Sequence, residues 1–144
     1  MPGPSAQQRF NLLVAEDNLP DVLLVREAIK MAKLPLDVYV VPDGQEAIEF
    51  IENAEGHENA PCPHFMMLDL NLPKRDGFEV LKRLRASPKC QSVPVLIITS
   101  SDSPSDQKQA ASYGAAYFRK PASYEDFLRV GDVLRQLLKE KGLL

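Results

Sequence analysis

No run of apolar residues in this chain approaches the roughly 18 that a membrane span needs. The stretch from Met1 to Gln8 lacks the apolar centre of a signal peptide and is instead rich in Pro, Ser and Gln. A soluble, cytoplasmic protein is the expectation. Cysteine is scarce: Cys62 and Cys90 are the only two, which do not make a disulfide framework. Cys62-Pro63-His64 sets two metal-ligand types close together, but no second pair accompanies them, so zinc is not expected there. Surplus charge is also small. A net charge of −3 gives no reason to look for nucleic acid or an anionic membrane as partner. The densest basic cluster, Lys74-Arg75 with Lys82, Arg83 and Arg85, follows helical spacing and reads as a solvated face. No internal repeat or low-complexity linker divides the 144 residues. That length suits one domain able to bury most of its apolar surface.

The sequence does contain four apolar runs that end in polar or charged groups. The central one is Phe65-Met66-Met67-Leu68-Asp69, continuing through Leu70-Asn71-Leu72-Pro73. Strands of parallel sheets are apolar on both faces, so this run reads as a buried strand that delivers Asp69 to one end of a sheet. Leu12-Leu13-Val14-Ala15 ends in Glu16-Asp17, Val95-Leu96-Ile97-Ile98 ends in Thr99-Ser100, and Tyr117-Phe118 ends in Arg119-Lys120. If these strands lie parallel and side by side, three carboxylates, a hydroxyl pair and an ammonium converge, and the carboxyl ends of strands are where open α/β sheets place their ligands.

Between the strands lie helical patterns. Asn18-Leu19-Pro20-Asp21 offers a cap, a first-turn proline and an acid near the positive end of a helix dipole. Val22, Val25, Ala28, Ile29 and Ala32 follow on one face, until Leu34-Pro35 breaks the helix. Leu36 to Val41 suits a short strand near a sheet edge. Pro42-Asp43-Gly44 opens a helix with Ala47, Ile48 and Ile51 aligned, and residues 55–63 form a polar surface loop. Phe78, Val80, Leu81 and Leu84 mark a third helix, stopped at Ser87-Pro88. The fourth strand is expected over Val93 to Ile98, with Pro94 tolerable near its start. Ser103-Pro104-Ser105-Asp106 begins a weakly apolar fourth helix ending at Gly114. Ala115 to Phe118 forms the fifth strand, and one helix runs from about Ser123 to Lys139. Five β-then-α units with right-handed crossovers predict an α/β, three-layer, doubly wound sandwich. Residues 1–9 are expected to be a disordered tail and 10–144 a single domain with no room for an output domain.

Ala15-Glu16-Asp17-Asn18, the Asp69 segment, Thr99-Ser100 and Arg119-Lys120-Pro121 together resemble, in order and spacing, the receiver domain of two-component response regulators. The Glu-Asp-Asn-x-x-Asp start, the long loop after the second helix and Leu-Asp-Leu-Asn-Leu-Pro-Lys-x-Asp-Gly resemble most the small stand-alone regulators that accompany phytochrome histidine kinases. This resemblance implies the (βα)5 flavodoxin-like fold with strand order 2-1-3-4-5. It also implies Mg²⁺ held directly by Asp17 and Asp69, by Glu16 directly or through water, and by the backbone carbonyl of Asn71. Family members often carry Asp where this chain has Glu16, which leaves its direct ligation open. Asp69 would be the phosphoacceptor, taking a phosphoryl group from a partner histidine, with Lys120 and Thr99 serving phosphoryl oxygens. Slow hydrolysis would reset the signal, so the protein catalyses only its own phosphotransfer and dephosphorylation and is not otherwise an enzyme. The resemblance further implies that Thr99 moves toward phosphate and that Tyr117 turns inward. The face of the fourth helix, fifth strand and fifth helix would change shape as a result. Lys120-Pro121 would be a cis peptide aiming the ammonium into the pocket.

Other readings compete with these. Taken alone, Asp69 could cap the next loop, Glu16 could be a solvated neighbour, Thr99 a strand residue and Tyr117 fixed packing, while Asp76 and Gly77 shape their loop. A hydrolase of the haloacid dehalogenase type usually has a second acid two residues after its nucleophile, where this chain has Asn71. The remaining alternative is a receiver-like binding scaffold that never carries phosphate. The expected partner is a sensor histidine kinase, with phytochromes as the candidate class. The apolar end Leu143-Leu144 and the lack of an output domain add a homodimer through the face of the fourth and fifth helices.

Overall fold

The computed structural model of this chain describes residues 8–144. Five strands alternate with helices: β1 (Phe10–Ala15), α1 (Leu19–Met31), β2 (Leu36–Val41), α2 (Gly44–Gly56), β3 (Phe65–Leu68), α3 (Gly77–Arg85), β4 (Val95–Thr99), α4 (Pro104–Ser112), β5 (Ala116–Arg119), α5 (Tyr124–Phe127) and α6 (Val130–Glu140). The strands pair in parallel in the order β2-β1-β3-β4-β5, as the resemblance implies.

Side chains alternate between the two faces of each strand, and this splits the interior in two. Leu13, Ala15, Met66, Leu68 and Ile97 pack with α2, α3 and Ala110 of α4. Leu12, Val14, Phe65, Met67, Leu96 and Ile98 pack with α1, Phe127 of α5 and α6. Every residue of β3 and β4 is buried, each large apolar side chain contributing about 1.5–3 kcal/mol. The centre of the sheet is thereby its firmest part, and it carries Asp69 at its end. By contrast, α4 buries Ala110 alone. No helix among the described residues is long and apolar enough to cross a membrane.

The ends of the elements follow from caps. The Asn18 side chain accepts from the Asp21 N–H, Asp43 from Glu46 and Ser103 from Asp106, while Asp76 and Glu79 form a reciprocal capping box at α3. β4 starts at Val95, later than Val93, because Pro94 has no N–H for the ladder; its carbonyl still accepts from Met66, at 3.0 Å. The single last helix of the sequence reading is two pieces. Arg129 N–H reaches Asp126 and Gly131 N–H reaches Leu128, bonds of the three-residue kind that tighten a helix into a 3₁₀-like turn. Of the tail expected over 1–9, residues 1–7 lie outside the described residues. Arg9 is tied down, its guanidinium bonded to Asp37 at 2.8 Å and to the Leu36 carbonyl at 3.0 Å.

The reading of the cysteines is corrected. Cys62 and Cys90 form a disulfide, their Cα atoms 5.6 Å apart. It joins the loop before β3 to the loop before β4. Adjacent parallel strands bring these loops together at the amino end of the sheet, although 28 positions separate the cysteines in sequence. Lys89 fastens the same loop, its ammonium donating to the carbonyls of Ala54, His57 and Ala60 at 2.8, 3.2 and 2.7 Å. His64 exchanges two backbone-directed bonds with Asn11, one through its ring nitrogen, so it is a structural residue.

Candidate functional site

The backbone ladder sets out the site. Beyond the last paired strand residues, Asp69 N–H bonds the Ala15 carbonyl at 3.1 Å, Glu16 N–H the Val41 carbonyl at 3.1 Å and Lys120 N–H the Thr99 carbonyl at 2.7 Å. Glu16, Asp69 and Lys120 therefore leave the carboxyl ends of β1, β3 and β5 toward one pocket. Glu16, Asp17 and Asp69 each offer a carboxylate oxygen lying within 4.8 Å of the others. Glu16 and Asp69 are buried and Asp17 is exposed.

Lys120 closes the cluster. Its ammonium donates to Glu16 Oε2 at 2.8 Å and to Asp69 Oδ2 at 3.0 Å, and it lies 2.8 Å from Asp21 Oδ2. The other oxygens of the two buried acids take backbone donors, Asn18 N–H on Glu16 at 3.1 Å and Asn71 N–H on Asp69 at 3.0 Å. Burial pushes the Glu16 carboxyl up to about 7, with the Asp69 charge adding to the effect and Lys120 opposing it. Burial alone would lower the Lys120 ammonium, but Asp21, Glu16 and Asp69 outweigh it and hold the amine above its ordinary value. One cation thus serves three acids, and Glu16 still pays for its burial. The donor set is entirely oxygen and carries excess negative charge, which fits a hard divalent cation such as Mg²⁺.

Thr99 is fully buried at the end of β4, its Oγ1 accepting from Ser101 N–H at 3.3 Å. The Tyr117 hydroxyl donates to the Ser101 carbonyl at 2.7 Å, and the Ser101 hydroxyl donates to Asp106 in the first turn of α4 at 2.7 Å. Residues 99, 117 and 106 therefore meet through Ser101, which the sequence reading did not single out. After β3, a Cβ on Gly77 would lie 2.4 Å from the Asp69 carbonyl oxygen, so only glycine lets α3 start this close to the phosphoacceptor candidate. Asp76 and Gly77 shape the loop, as expected.

Two expectations change. The Lys120–Pro121 peptide is trans; the Lys120 N–H bond to Thr99 already fixes the end of β5 so that the side chain reaches the pocket. Asp21, read in sequence as a helix-dipole acid, belongs to the site. In the first turn of α1, it faces the same opening as the strand-end acids. An open groove of about 650 Å³ runs past it, lined also by Ser100, Arg119, Lys120 and Pro121.

The geometry agrees with known proteins. Residues 12–130 match the family described as the response regulator receiver domain. Response regulator Rcp1 of Synechocystis sp. is 33% identical over 122 residues, covering 83% of this chain and 82% of its own length. Among solved structures, the phosphorylated cyanobacterial phytochrome response regulator RcpA superposes with a TM-score of 0.80 at 28% identity, over 90% of this chain and 93% of its own. The Mn²⁺-bound form of Rcp1 gives 0.79 at 29% identity, over 88% and 92%.

Proposed function

The chain belongs to the response regulator receiver family, and from that premise we propose that it is a stand-alone signalling phosphoacceptor. It takes a phosphoryl group from a sensor histidine kinase onto Asp69. One observation carries this reading: three carboxylates of two strand ends meet within 4.8 Å, with the Lys120 ammonium 3.0 Å from Asp69. A binding scaffold has no physical need for such repelling charges.

In the transfer, an Asp69 carboxylate oxygen attacks phosphorus on the partner's phosphohistidine. The O–P bond forms as the P–N bond breaks, and the imidazole nitrogen leaves with that electron pair. Glu16, Asp17, Asp69 and the Asn71 carbonyl would hold Mg²⁺, which when bound offsets the charge of acids and phosphoryl group. Lys120 gives the phosphoryl oxygens a second positive charge, and the Thr99 hydroxyl gives them a donor. Water later attacks the phosphorus and restores the Asp69 carboxylate. The presence of phosphate favours a Thr99 position nearer the pocket, and through Ser101 the change reaches Tyr117 and α4. The face of α4, β5 and the α5–α6 segment then presents a different surface to partners, a second copy of the chain included. The likeness to RcpA, described as a phytochrome response regulator, supports a phytochrome as the kinase.

The test is incubation with Mg²⁺ and a small phosphodonor, or with a phosphorylated histidine kinase. One acid-stable, base-labile phosphate is expected on the wild type and none on Asp69→Asn. Labelling of that variant at the wild-type rate would falsify the assignment.

A further inference from the structure

The functional reading assigns no task to Asp21, yet its carboxylate reaches the Lys120 ammonium as closely as Glu16 does, 2.8 Å in each case. It is not one of the three acids whose oxygens cluster within 4.8 Å. Its own backbone N–H, and not its carboxylate, takes the helix cap from Asn18. Among the described residues Lys120 is the one cation in ion-pair reach of this carboxylate. The Lys120 and Asp21 side chains are 10% and 20% exposed, so the pair is poorly screened by solvent.

We propose, on the premise that Asp69 accepts phosphate, that Asp21 is a positioning residue: it holds the Lys120 ammonium on the α1 side of the pocket before phosphorylation and competes for it with the arriving phosphoryl group. An ammonium has three N–H donors, and three carboxylates crowd this one. A phosphoryl group adds acceptor oxygens and dianionic charge beside it, so at least one acid has to release its share. Glu16 is 2% exposed and also bonded to Asn18. Asp69 becomes the acyl phosphate. Asp21 has the open groove beside it and, among the described residues, no other ion-pair partner, and is the acid that lets go. Occupancy of Asp69 is thereby linked to the first two turns of α1, where Leu19 and Leu23 stand 71% and 65% exposed. That surface lies on the opposite side of the sheet from α4 and senses the site through a different residue.

Asp21→Asn keeps the size and the cap while removing the charge, and Asp21→Glu keeps the charge. Beryllofluoride, a phosphoryl mimic, is titrated with Mg²⁺ and followed by ¹⁹F NMR. Asp21→Asn should bind it about tenfold more tightly than wild type, the scale of one removed charge in a partly buried pocket, and Asp21→Glu should stay near wild type. The difference should narrow as salt nears about 1 M, where screening acts over roughly 3 Å. In the unliganded protein the Lys120 ammonium protons should exchange faster in Asp21→Asn. Unchanged or weaker binding by Asp21→Asn, with wild type binding normally, overturns the proposal alone. If wild type neither binds the mimic nor accepts phosphate, the phosphoacceptor reading itself has failed.

Discussion

Glu16 makes the metal-free fold sensitive to pH in an unusual direction. Its carboxyl is raised from 4.5 to about 7, first by burial and then by the Asp69 charge. Below about 4.5 the group is neutral whether the chain is folded or unfolded. Between 4.5 and 7 the unfolded chain ionises it while the folded chain keeps the proton, so stability falls as pH rises; above 7 both forms are ionised and the loss is complete. At 1.36 kcal/mol for each decade of proton affinity, the full loss is about 3 kcal/mol. Urea titrations of wild type and Glu16→Gln, each in chelator across this range, isolate the effect because the other titrating groups are shared. The wild type should lose about 3 kcal/mol relative to the variant, a midpoint change of roughly 1–2 M urea. A divalent cation favours the ionised carboxylate, so saturating Mg²⁺ should largely abolish the difference and release a proton near pH 6. Parallel stability curves in chelator, or Mg²⁺ uptake at pH 6 with no proton released, would refute the reasoning that Glu16 is a buried acid in the proposed Mg²⁺ site.

Two further outcomes follow from packing. Opening the Cys62–Cys90 disulfide frees a loop of 28 positions, for which chain entropy predicts a loss of about 3–4 kcal/mol; urea midpoints with and without reductant should differ accordingly, and equal midpoints would show that Lys89 alone holds the loop. Gly77→Ala puts a methyl group 2.4 Å from the Asp69 carbonyl and 2.7 Å from the Leu70 Cα; it should cost about 1–3 kcal/mol and slow phosphate uptake by Asp69, and wild-type values for both would contradict the close packing of α3 on this loop.

The fold was legible because its main signals are local. Apolar runs ending in Asp69, Glu16-Asp17, Thr99 and Lys120 were enough to mark four of the five strands, the β-branched and aromatic Leu36–Val41 marked β2, and Asn18, Asp43 and Ser103 marked helix starts. What was missed depends on distant partners. Asp21 looks like any first-turn acid until the fold brings Lys120 to it across 99 positions. Cys62 and Cys90 meet only once β3 and β4 pair. A cis Lys120–Pro121 peptide was suggested by resemblance alone, and the bond is trans. Ser101 gave no signal because its contributions are a carbonyl and a small hydroxyl between better-marked neighbours.

A helix whose hold on the interior is one methyl group stores little free energy in its position. α4 is such a helix, with Ala110 as its anchor and Ser101 as its leash. Mechanical work done at the Thr99 end of the sheet spreads where resistance is least, and β3 and β4 are too densely packed to yield. The domain is therefore stiff at the buried ends of β3 and β4 and compliant one short loop away, at α4.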